Sequence, residues 1–189
     1  MTTSAPSTPA ARNLSFDNAS TKANQDKFLT FRLDTEEYGI EILRVREIIG
    51  MLDITPLPHA PSHIKGVVNL RGRIIPVVNL RTTFGMPEAE YTPATCIVFV
   101  EVSAQQAGER FPIGCIVDNV NEVLTIPAGQ VEPAPQFGCS VRTDFILGMG
   151  NVKDRVYILL NIDHALTVGE LTALAAATKE ESARQAVAA

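Results

Sequence analysis

This chain repeats itself, and the repeat limits the folds open to it. Displaced by 75 residues, Tyr38–Ile48 falls on Ile113–Val123, so that Gly39 meets Gly114, Val45 meets Val120 and Glu47 meets Glu122. Displaced by 82 residues, Ile64–Phe84 falls on Ile146–Leu166, and Gly66 meets Gly148, Asn69 meets Asn151, Arg73 meets Arg155 and Asn79 meets Asn161. Generic turns share glycine and asparagine, but they do not share order and spacing. The chain is therefore read as two copies of one unit, the second with a longer connection, residues 124–145 against 49–63. A lone barrel of about 60–70 residues has a marginal core, so the copies are expected to pack together.

The unit is β. Leu29, Phe31 and Leu33 alternate with Thr30 and Arg32, the period of a half-buried strand. Further short runs follow at 38–42, 74–80, 95–102, 111–117, 120–126 and 155–162, punctuated by glycine and proline. That pattern argues for small all-β barrels or a sandwich. Residues 1–27, poor in large apolar groups, read as a flexible extension. The folded domain is placed at 28–169, with one subdomain at about 28–95 and the other at about 96–166. Thr167–Glu170 has capping-box spacing, which predicts a helix over about 168–178, and 170–189 are read as that helix and a frayed tail.

The repeat also keeps charge sign. Glu47 matches Glu122 and Arg71 matches Lys153, so an acid early in each copy is followed by a base on its later turn. The spacing predicts a cross-strand pair between Glu47 and Arg71, and a looser one between Glu122 and Lys153, because only arginine offers a forked partner.

Composition removes several functions. Of 189 residues, 16 are basic and 21 acidic, a net charge of -5, and the acidic surplus does not sit in the tails. Nucleic acid is excluded as the main partner, since phosphate binding needs clustered positive charge. Cys96, Cys115 and Cys139 form neither a CxxC nor an even set, and are read as reduced thiols of a cytoplasmic protein. No apolar run approaches the ~20 residues of a spanning helix, so no membrane insertion is expected. His59 and His63 are four apart, but Pro58 and Pro61 deny them a regular helix, and no metal is expected. No phosphate-binding glycine loop is present, and Cys115 has no neighbouring histidine in sequence to activate it. The chain reads as a binding protein, without catalytic residues or cofactor.

Three stretches resemble a known family. They are Phe28–Phe31 with Glu37–Ile42 and Val45–Ile49, then Ile64–Gly72 followed by Ile75–Arg81, then Val117–Val120 with Pro133–Phe137 and Asn161-Ile162. Together they resemble the bacterial chemotaxis coupling protein family CheW, over about residues 28–180. The resemblance implies two pseudosymmetric SH3-like five-stranded barrels and a short C-terminal helix. It implies a cytoplasmic, non-catalytic adaptor at chemoreceptor arrays, joining the tips of methyl-accepting chemotaxis proteins to the regulatory domain of the histidine kinase CheA. A related alternative is a scaffold in another chemosensory system, for surface motility or a non-motility output. Carried over position by position, Val45, Glu47, Gly66, Arg71 and Val123 match receptor-coupling positions, and Phe137 matches a kinase contact. For Val45 and Val123, core packing competes with that role. An extension of this length is unusual in the family, and Asn79 stands where aspartate is common.

Overall fold

The computed structural model describes residues 14–15, 26–103, 110–135, 143–165, 183–184 and 186–187. Most of the extension, the helix expected at 168–178, Phe137 and Cys139 lie outside the described residues.

Among the described residues twelve strands form two sheets. The strands are β1 (Leu14–Ser15), β2 (Lys27–Leu33), β3 (Glu36–Glu41), β4 (Val45–Gly50), β5 (Ile64–Leu70), β6 (Arg73–Asn79), β7 (Cys96–Ser103), β8 (Arg110–Val117), β9 (Asn119–Thr125), β10 (Val131–Glu132), β11 (Ile146–Val152) and β12 (Arg155–Leu160). One four-residue helix follows β6, α1 (Leu80–Thr83), and another follows β12, α2 (Ile162–Ala165). The first sheet runs β1-β4-β7-β8-β6-β5 and the second β10-β11-β12-β3-β2-β9. With the two-residue strands β1 and β10 set aside, each is a five-stranded SH3-like barrel.

The order β4-β7-β8-β6-β5 maps onto β9-β2-β3-β12-β11, four strands under the displacements read from the sequence and β7 onto β2 by the register of its partner strand. Local detail is repeated too. Val77 pairs in parallel with Gly114 as Leu159 does with Gly39. A bulge separates Ile64 from Gly66, and another separates Ile146 from Gly148. Both β5–β6 and β11–β12 turn on two residues of positive φ, Arg71-Gly72 and Lys153-Asp154, the geometry that follows strand twist.

The boundary expected near residue 95 is corrected by this topology. The first barrel is continuous, β4 to β8, whereas the second takes β2 and β3 from the first copy and β9 to β12 from the second. From β2 onward the chain crosses between barrels twice, through the turn Ile42–Arg44 and through Asp118. Alternation tells which face of a strand is apolar, and it is silent on which sheet the strand joins.

Sharing strands also shares the core. Leu29, Phe31 and Ile40 of the second barrel pack with Val45, Val100 and Ile113 of the first in one buried cluster. Val68, Val77, Ile97 and Phe99 fill the first barrel alone, and Phe28, Ile126, Tyr157 and Leu159 fill the second. Strand β2 is consequently buried on both faces. Thr30, expected to face outward, is fully buried, and its hydroxyl donates to the Glu122 carbonyl at 2.7 Å, meeting its hydrogen-bonding need.

Candidate functional site

Arg71 and Glu47 come together across the first barrel. The type of turn decides this: Arg71 takes φ 54, Gly72 takes φ 82, and the Gly72 N–H donates to the Asn69 side chain at 2.9 Å. The guanidinium is thereby held over β4, and Arg71 Nη2 donates to Glu47 Oε2 at 2.9 Å. The Glu47 side chain is 13% exposed and that of Arg71 66%, so the pair presents arginine to solvent and keeps the carboxylate tucked beneath. Beside it lies an open groove of about 600 Å³, lined among others by Arg46, Arg73, Phe99, Glu101 and Arg110. Arg46 pairs with Glu101 there. Among the described residues Arg73 and Arg110 have no ion-pair partner, which leaves the groove with a basic surplus.

The second copy differs. Lys153 occupies the matching turn at φ 50, but among the described residues no ion pair joins it to Glu122, and both side chains are exposed. That expectation is corrected: an exposed pair is worth ~0–1 kcal/mol, too little to hold a single ammonium in place.

The remaining predicted residues separate. Val45 is 1% exposed and belongs to the core shared between the barrels, so it is no surface contact. The reason is a bulge between Val45 and Glu47, which turns Val45 and Ile48 toward the same core. Gly66 is buried at φ 142, with the Thr55–Pro56 backbone lying across it, and shapes the chain without displaying anything. Val123, by contrast, is 39% exposed on β9, at the free edge of the second sheet among the described residues.

Among the ion pairs that sequence reasoning missed, one lies at each crossing. At the first crossing, Arg44 Nη2 donates to Asp163 Oδ2 at 2.7 Å, and Asp163 Oδ1 accepts the Ser103 N–H at 2.7 Å. At the second, Arg81 Nε donates to both oxygens of Asp118 at 2.8 and 2.9 Å, and Asp118 Oδ2 accepts the Asp34 N–H at 2.8 Å. Burial alone would raise the Asp118 carboxyl, but hydrogen bonds from Arg81 and the Asp34 N–H, with the charge of Arg81, hold it below the ordinary carboxylate value. A search for matched identities passes over these residues, because Arg81 aligns with Asp163 and the signs oppose.

Neither described thiol is arranged for catalysis. Burial pushes the Cys115 thiol up to about 12 and that of half-buried Cys96 to about 11, far from a thiolate at neutral pH.

Comparison with known proteins agrees with this architecture. Residues 27–170 match the CheW-like domain family. The chemotaxis protein CheW of Klebsiella aerogenes is 38% identical over 145 residues, 77% of this chain and 84% of that protein. That of Rhizobium meliloti is 31% identical over 137 residues, 72% of this chain and 84% of that protein. The crystal structure of the scaffolding protein TtCheW from Thermoanaerobacter tengcongensis superposes with a TM-score of 0.68 at 32% identity, covering 77% of this chain and 95% of that one. With the match spanning both barrels from β2 to beyond α2, the chain belongs to the CheW family.

Proposed function

We propose that this chain is a non-catalytic adaptor of bacterial chemotaxis that couples the cytoplasmic tips of methyl-accepting chemoreceptors to the regulatory domain of the histidine kinase CheA. The observation that carries this reading is family membership across the whole two-barrel unit, residues 27–170. Among the described residues no helix is long and apolar enough to cross a membrane, which fits a protein held at receptor arrays through its partners.

On this reading the receptor face is the groove beside Arg71 and Glu47, with Val123 as an exposed apolar contact on the other barrel. Val45 and Gly66 serve it indirectly, by holding β4 and β5 in place. Arg71 supplies a forked donor already oriented by the buried carboxylate of Glu47, so little side-chain freedom is lost on docking. Phe137 supplies the kinase contact, and truncating an aromatic anchor commonly costs ~2 kcal/mol, about 30-fold in affinity.

The test is a kinase assay with receptor-containing membranes, with and without the full chain, alongside pull-downs of receptor and kinase separately. The chain should raise receptor-dependent kinase activity. Arg71→Glu should weaken receptor pull-down while kinase binding holds, and Phe137→Ala should do the reverse. No stimulation by the natural chain overturns the adaptor reading; equal loss of both partners in both variants overturns the assignment of separate faces.

A further inference from the structure

The two crossings between the barrels are fastened by one device built twice with opposite polarity. At each crossing a carboxylate accepts a backbone N–H from equivalent positions, Asp34 donating to Asp118 at 2.8 Å and Ser103 donating to Asp163 at 2.7 Å. The equivalence of Asp34 and Ser103 follows from register, since Phe31 lies opposite Val120 as Val100 lies opposite Val45. Arg81 and Asp163 are likewise equivalent, each the second residue of its four-residue helix. Yet the first helix supplies the cation and the crossing at Asp118 the anion, whereas the second helix supplies the anion and the crossing at Arg44 the cation.

We propose that Arg44, Arg81, Asp118 and Asp163 form a polarity key that makes each copy of the repeat pair with the other copy and not with its own kind. Both cations lie in the first copy and both anions in the second. In register Leu43 matches Asp118 and Arg44 matches Asn119. Two first copies, brought together from two chains, would therefore set Arg81 against a crossing that carries Arg44 and no anion, and two second copies would set Asp163 against one that carries Asp118 and no cation. Only the mixed arrangement gives two attractions. A key of this sort has work to do here, because the copies share strand order, bulges and turns, so shape alone discriminates weakly between mixed and like pairing. The like-charge penalty is felt because the sites are partly shielded: the Arg81 and Asp163 side chains are 12% and 14% exposed, and those of Arg44 and Asp118 28% and 29%.

The test uses two variants of the full chain with unchanged net charge. Arg44→Asp with Asp118→Arg sets arginine against arginine at one crossing and aspartate against aspartate at the other. It also makes each copy complementary to its own kind. Reversing Arg81→Asp and Asp163→Arg in addition restores both pairs with their polarity exchanged. Urea unfolding and light scattering on a sizing column are read for both. The double variant should lose on the order of 100-fold in folding equilibrium or shift toward dimer. The fourfold variant should recover about tenfold of that loss and the natural chain's mass, short of full stability because the Asp34 and Ser103 N–H groups no longer meet a carboxylate and Asp34 and Glu41 lose their arginines. A double variant with the stability and the mass of the natural chain overturns the key. So does a fourfold variant no better than the double, including the case in which neither folds.

Discussion

Thr55 and Gly66 lie so close that a Cβ on the glycine would stand 2.0 Å from the Thr55 carbonyl oxygen. The approach is made by an isolated bridge, with Thr55 N–H donating to the Val67 carbonyl and Val67 N–H to the Thr55 carbonyl, both at 2.9 Å. Gly148 is crossed in the same way by Glu132, whose carbonyl oxygen would stand 2.7 Å from a Cβ. In each copy, then, the glycine is where the connecting segment closes over its barrel. Gly66→Ala must either displace Thr55 or leave φ 142, and should cost about 3 kcal/mol or more in urea unfolding. Receptor coupling should fall in proportion to the folded fraction, so that coupling per folded molecule is unchanged.

Val45 and Val123 make opposite predictions although the resemblance gives them one role. Val45→Ala removes methyl groups from a fully packed core and should cost about 2 kcal/mol of stability. Val123→Ala, on an exposed strand edge, should stay within about 0.5 kcal/mol. Measured with receptor membranes at a temperature where both are folded, Val123→Ala should show the larger binding defect.

Asp118 makes stability depend on acid. Its folded-state carboxyl is held below the unfolded value of about 4, so the stability it contributes is complete above that value and is lost as pH falls through the lower folded one. Asp118→Asn should be about 1–2 kcal/mol less stable than the natural chain at pH 7. The gap between the two unfolding midpoints should close as pH is taken from 5 toward 2; a gap independent of pH would show that the charge is not what matters.

Cys115 should resist alkylation. At pH 8 a thiol pushed up to about 12 is ionised on the order of once in 10⁴ molecules, and no alkylating agent reaches a fully buried sulfur. Mass spectrometry after iodoacetamide treatment should find it unmodified in the folded protein and modified in urea, with Cys96 slow but detectable.

How much of this was legible in the sequence follows from what repeats. Gly66 with Gly148, and the turns at Arg71 and Lys153, could be read because each position makes the same backbone demand in both copies. The Arg71–Glu47 pair was legible for a related reason, as a sign kept in order and spacing. Strand partnership was not: Leu29 and Phe31 announce a buried face but not that their neighbour is Val123 or Val120, far along the chain. Val45 was misplaced by a bulge that a two-residue period cannot express. The pairs at Arg44 and Arg81 stayed hidden because Arg81 aligns with Asp163 and Arg44 with Asn119, and a comparison that rewards likeness skips such positions.

The nesting of one barrel within the other sets an order on synthesis. Every principal strand of the inner barrel is free of the ribosome once Val117 has emerged from the exit tunnel, and that barrel can then close. The hairpin of β2 and β3 emerges before any of it, with Phe31 waiting for Val120 and Tyr38 for Ile158. The nascent chain therefore carries two unpaired strand edges through most of its translation, the kind of surface that neighbouring chains and chaperones capture. The earliest residues of the folded unit are among the last to find their places.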